Sequence, residues 1–105
     1  MTRHVSILLL VSASLWGQNK GAINGDVTDA SGAAIPSAKV TVKAPAIGVQ
    51  RTATTNDRGS FTVPNLSKGD YEITVEAPGF KSLVRSGVGL DTDQVATLKL
   101  PMEVG

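Results

Sequence analysis

The stretch Thr55-Asn56-Asp57-Arg58-Gly59-Ser60-Phe61-Thr62-Val63-Pro64-Asn65-Leu66-Ser67-Lys68-Gly69-Asp70-Tyr71-Glu72-Ile73-Thr74-Val75 alternates polar and apolar residues around two groups of turn formers. Side chains of a strand point alternately to its two faces, so the pattern reads as strand, turn, strand. Gly59, Phe61 and Val63 share one face, opposite Ser60 and Thr62. Tyr71, Ile73, Val75 and Ala77 share the next dry face, with Glu72, Thr74 and Glu76 on the wet one. Asn56-Asp57-Arg58-Gly59 supplies the turn, Pro64 is expected to end the strand centred on Phe61, and Asn65 to Gly69 to form a longer connection. Within that connection Leu66, alone among turn formers, is expected to plug the end of the core.

Outward from this stretch, short extended runs recur between Gly, Pro, Asn and Asp, with no helical periodicity after Gly21. They begin at about Ala22 to Thr28 and Ala38 to Ala44. Arg51 to Thr55, rich in threonine, is expected at a sheet edge. Pro78-Gly79 forms a turn before Phe80 to Arg85, and the last run, Gln94 to Leu100, points Ala96, Leu98 and Leu100 inward until Pro101 stops it. About seven strands result, the count of an all-β sandwich.

With 105 residues, 41% hydrophobic but only 4% aromatic, the chain has room for one small domain with an aliphatic core. A core of that size leaves little space for an internal active site. The first residues differ in composition. Arg3 and His4 precede an apolar run, Val5 to Trp16, too short for a permanent span and shaped like an export signal. Residues 1–17 are therefore expected to be a signal peptide and 18–105 the mature domain, exported to the periplasm, the outer membrane or the exterior, with no stable membrane span after cleavage. Cleavage after Ala13 competes with cleavage near Gly17. The chain has no cysteine, so packing and sheet hydrogen bonds must hold it together, and thiol chemistry is excluded.

The net charge of +1 is dispersed: Arg51, Arg58, Lys81 and Arg85 do not cluster as a nucleic-acid surface requires. The sole histidine, His4, lies in the segment expected to be removed, which leaves no imidazole for a triad or a zinc site. Asp91 and Asp93 read as a solvated turn. Asp26, Asp29 and Asp57 would have to converge to hold calcium, but Asp29 and Asp57 sit where turns use carboxylates to accept backbone amides. Gly59 and Gly69 are expected to take the positive φ that such turns need. Lys39 or Lys43 with a carboxyl partner raises the question of an intramolecular isopeptide bond, yet Glu72 and Glu76 fall on the wet face. Trp16 is in the export segment, and Tyr71, Phe61 and Phe80 are assigned to packing, which leaves no exposed aromatic platform for sugars.

Three segments together resemble the carboxypeptidase regulatory-like domain: Gly25-Asp26-Val27-Thr28-Asp29-Ala30-Ser31-Gly32 with Ile35-Pro36-Ser37-Ala38-Lys39-Val40; Thr55-Asn56-Asp57-Arg58-Gly59-Ser60-Phe61; and Leu66 through Gly69-Asp70-Tyr71, closing on Ala77-Pro78-Gly79-Phe80. The resemblance implies an antiparallel Greek-key β-sandwich of prealbumin type. It also implies an accessory role, as at the N-terminus of bacterial TonB-dependent receptors. No barrel, plug or peptidase sequence is present in the chain, and the hydroxyisourate hydrolases of the same fold depend on histidines absent here. The expectation is a noncatalytic envelope module that needs no cofactor and no metal. Its partner would be a protein or a neighbouring envelope domain, not a nucleic acid. Strand addition would occur at the edge formed by Arg51, Thr52, Ala53, Thr54 and Thr55. Weak carbohydrate binding through the end loops is the alternative.

Overall fold

The computed structural model describes residues 20–105. The expected export segment, with His4 and Trp16, lies outside the described residues. The strands are β1 (Gly21–Thr28), β2 (Lys39–Ala44), β3 (Val49–Thr54), β4 (Ser60–Leu66), β5 (Gly69–Glu76), β6 (Leu83–Leu90) and β7 (Val95–Pro101). A single 3₁₀ turn, Pro45–Ile47, joins β2 to β3 and is released by Gly48 in the left-handed region at φ 69°. No helix among the described residues is long and apolar enough to cross a membrane.

The strands form two sheets, a three-stranded one in the order β4-β1-β7 and a four-stranded one in the order β3-β2-β5-β6. Not all pairings are antiparallel. β1 and β7, the first and last strands, run parallel from Ala22 opposite Val95 to Thr28 opposite Pro101, which corrects the all-antiparallel expectation. Alternation along each strand delivers the core. Ile23 and Val27 of β1, Val40 and Val42 of β2, Phe61 and Val63 of β4, Tyr71, Ile73 and Val75 of β5, and Leu100 of β7 are buried between the sheets. Burying each such side chain is worth about 1.5–3 kcal/mol, so this dry layer supplies the main driving force. Leu66 closes one end of it, fully buried.

Two strand boundaries differ from the sequence reading, and each has a local cause. Pro64 does not end β4, because β4 is an edge strand and Pro64 falls in a bulge: Gly21 faces Leu66 while Ile23 faces Val63, leaving an extra residue on β4. There the missing N–H costs no ladder bond, and Asn65 takes φ 59°. Only Ser67 and Lys68 then connect β4 to β5. β6 likewise runs on to Leu90 through a bulge between Arg85 and Val88, where Gly87 adopts φ 70°. Gly69 has no positive φ; it simply opens β5.

Beyond Pro101, buried Met102 donates its N–H to the Thr28 carbonyl at 2.7 Å. Val104 then bridges antiparallel to Phe80, and the Lys81 N–H donates to the Glu103 carbonyl at 2.8 Å. These contacts tie the last residues to the β5–β6 connection.

Candidate functional site

The turn formers singled out in the sequence converge on structural tasks. Asn56 Oδ1 accepts the backbone N–H groups of Arg58 at 2.8 Å and Ser60 at 3.0 Å, closing the β3–β4 turn. Gly59 completes it at φ 73°, in a place where any Cβ would stand 2.5 Å from the Val27 carbonyl oxygen. Asp57 makes no such bond: the turn carboxamide is Asn56, one position earlier, because only that position looks back at the amides of the turn. Asp29 Oδ1 accepts from Ser31 Oγ at 2.6 Å, Ser31 N at 2.8 Å and Ala33 N at 3.0 Å. The Ser31 hydroxyl first, then the Ala33 amide, hold the Asp29 carboxyl below its usual range.

Asp26 serves a third purpose. Its Oδ1 accepts from Ser60 Oγ at 2.7 Å and its Oδ2 faces Lys99 Nζ at 3.7 Å, linking β1 to both of its neighbours. Asp26, Asp29 and Asp57 are thus not assembled as a ligand set, and the described residues contain no cluster of three or more acidic, His or Cys side chains suited to a metal. Lys39 and Lys43 pair across strands with Glu76 and Glu72 on the outer face of the four-stranded sheet. Asp91 and Asp93 shape the β6–β7 turn, with Asp93 at φ 63° and Asp91 opposite Lys68 at 3.7 Å, both side chains exposed.

A shallow hollow of about 440 Å³ lies between the start of β5 and this turn, lined by Lys68, Asp70, Asp91 and Gln94 around Gly89 and Leu90. It carries no aromatic face. Tyr71, the largest core side chain, instead turns its hydroxyl to the Ser67 carbonyl at 2.6 Å. Burial pushes the phenol above its ordinary value of 10.0, and the charge of Arg51 opposes part of that shift.

The predicted edge proves to be two different things. Arg51, Thr52, Ala53 and Thr54 belong to β3, the outer strand of its sheet. Thr55 does not. It is buried at 4% exposure, its Oγ1 accepting the Ala38 N–H at 2.8 Å and donating to the Ile35 carbonyl at 2.7 Å. Its hydroxyl replaces a missing ladder bond where β2 begins, a duty that sequence alternation does not reveal. Arg51 points inward from β3, and its guanidinium donates to the carbonyls of Pro64 and Asn65, both at 3.1 Å. It therefore spans the gap between the sheets at the β4 bulge. On the opposite flank Arg85 of β6 does the same to the Lys99 carbonyl of β7 at 3.3 Å.

The backbone of β3 completes the geometry. The Thr55 N–H donates to the Ala38 carbonyl, so alternation directs the backbone groups of Ala53 and Arg51 toward β2 as well. Those of Gln50, Thr52 and Thr54 point away from the sheet.

These features define a small β-sandwich domain whose polar motifs build turns. Residues 22–103 match the carboxypeptidase regulatory-like domain, and the chain belongs to that family. The family signature has a physical meaning here. The Phe61 ring lies over Gly25, where a Cβ would come within 2.4 Å of it, and the Asn56 turn docks on the Val27 and Ile35 backbone. No curated protein matches the chain in sequence.

Among solved structures, the fold is similar to hydroxyquinol 1,2-dioxygenase from Pseudomonas putida, with a TM-score of 0.69 at 13% identity over 87% of this chain and 58% of that one. It is also similar to a candidate carbohydrate-binding protein from Bacteroides uniformis, with a TM-score of 0.65 at 13% identity over 82% of this chain and 42% of that one. A chain of a type II cohesin-X-dockerin complex from Acetivibrio cellulolyticus gives a TM-score of 0.60 at 18% identity over 80% of this chain and 58% of that one. In each case this chain spans less than two thirds of the other's length. Identities this low establish a shared fold and nothing of its use.

Proposed function

We propose that this chain is a noncatalytic accessory module of the bacterial cell envelope, exported by residues 1–17 and joined to a protein partner by strand addition at β3. In this reading it corresponds to the N-terminal extension of a TonB-dependent receptor, with a Greek-key sandwich of prealbumin type. The observation that carries it is the β3 edge, where Gln50, Thr52 and Thr54 turn their backbone N–H and C=O groups outward. An exposed row of such groups is a template for another strand. The polar residues of the family signature support the noncatalytic part, since Asn56, Asp29 and Thr55 are all engaged in holding backbone. The likeness to a chain from the cohesin-X-dockerin complex supports a role among protein partners.

The test is cell fractionation with Thr52→Pro beside the unaltered chain. The Thr52 N–H points away from β2, so proline there spares the existing ladder and blocks only an added strand. The expected result is a processed chain retained in the washed envelope fraction, and loss of that retention in the variant at an unchanged melting temperature. An unprocessed chain in the cytosol, or retention indifferent to proline, contradicts the proposal.

A second reading, weak carbohydrate binding, draws on the hollow bounded by Lys68, Asp70, Asp91 and Gln94 and on the likeness to the Bacteroides uniformis protein. Saturable heat of sugar binding that disappears in Asp70→Ala would favour it over strand addition.

A further inference from the structure

β1 and β7, the first and last strands, lie side by side and run the same way. Gly21 therefore stands at one end of the sandwich and Pro101 at the other. A pull on the two ends of the domain draws β1 and β7 along their own axes in opposite directions. Ladder bonds run across the strands, so such a load strains all of them together instead of one after another.

We propose that the domain is a load-bearing link, in which tension applied between its two ends is carried in shear by the β1–β7 ladder. β3 takes no part in this load path, so the role is separate from strand addition at that edge.

The ladder is continuous over seven consecutive positions, from Ala22 opposite Val95 to Thr28 opposite Pro101. Two bonds fix its parity. The Ala22 N–H donates to the Gln94 carbonyl at 2.9 Å, and the Met102 N–H to the Thr28 carbonyl at 2.7 Å. Backbone groups alternate in direction along a strand, so Ala96, Leu98 and Leu100 also turn theirs toward β1. Those of Thr97, Lys99 and Pro101 face away. Pro101 therefore removes no ladder bond, and the Lys99 carbonyl is free to accept Arg85.

Side chains lock this register. Leu100 and Met102 are buried, Ala96 and Leu98 pack against the core, and sliding β7 along β1 would draw all four out of place. Asp26 and Lys99 stand directly opposite each other with their charged groups 3.7 Å apart. β1 is paired on both sides, with β4 and with β7, whereas β7 has β1 as its one neighbour in the sheet. β7 is thus the strand that yields, and its ladder to β1 sets the load the domain bears. The tail contacts, from Lys81 N–H to the Glu103 carbonyl and from Gly105 N–H to the Gly79 carbonyl, lie outside that ladder and give way first.

The full chain has no cysteine, so a pair of introduced thiols defines the points at which it is held. In optical tweezers, the chain held at Lys20→Cys and Gly105→Cys should unfold at a several-fold higher force than the chain held at Lys20→Cys and Thr92→Cys. Lys20 and Thr92 lie at the same end of the sandwich, beside the Ala22 to Gln94 bond, so that load opens the ladder bond by bond. Forced unfolding reports the unfolding rate, which the direction of load changes while the equilibrium stability stays the same. In the end-to-end geometry Ala96→Pro, which removes a ladder N–H, should lower the unfolding force, and Thr97→Pro should leave it unchanged. Equal force in the two geometries, or an equal loss with the two prolines, overturns the load-bearing role. Should Ala96→Pro fail to fold, the two pulling geometries decide alone, because neither alters the ladder.

Discussion

Thr55 shows what a single hydroxyl can hold in a protein this small. It is the one buried polar residue among those described, and it satisfies a donor and an acceptor that nothing else reaches. Thr55→Val keeps the shape but leaves the Ala38 N–H and the Ile35 carbonyl unpaired, so it should cost about 1–3 kcal/mol in urea denaturation. Thr55→Ser, which keeps the hydroxyl, should cost less. Tyr71 makes a comparable bond with a pH signature. Its folded pKa lies above 10.0, so its contribution is fully present below pH 10 and is lost as the pH rises from there through the folded value. Tyr71→Phe should therefore lose about 1 kcal/mol at neutral pH and flatten the alkaline limb of the melting-temperature profile. The core role of Tyr71 is legible from alternation, whereas that of Thr55 is not, because its burial comes from a connection crossing the end of the sandwich.

At the scale of elements, periodicity reports which side chains face inward but is silent on bulges, which insert a residue without changing composition. This is why the dry faces of β1, β2, β4 and β5 follow directly from the sequence, while β4 and β6 run further than their turn formers imply. The β4 bulge depends on Asn65 at φ 59°, a conformation costing most side chains about 1–2 kcal/mol. Asn65→Gly should leave the melting temperature nearly unchanged, and Asn65→Val should lower it, as calorimetry would show. The parallel pairing of β1 with β7 was equally hidden. It joins the two strands most distant in sequence, and no local pattern encodes the direction of a remote neighbour.

For the whole molecule, the polar residues that might have carried chemistry are used to close turns and to brace the gap between sheets, as Arg51 and Arg85 do from opposite flanks. What is left open is backbone, along β3. The candidate edge was legible from the threonine-rich run at Arg51 to Thr54, but the outward direction of its alternate amides required the β2 register. Amide hydrogen exchange followed by NMR on dilute full-length chain reads that arrangement residue by residue. Slow exchange at Arg51, Ala53 and Thr55, alternating with fast exchange at Gln50, Thr52 and Thr54, is the expected pattern. Uniform protection along β3 in the monomer, or uniform exposure, would contradict it.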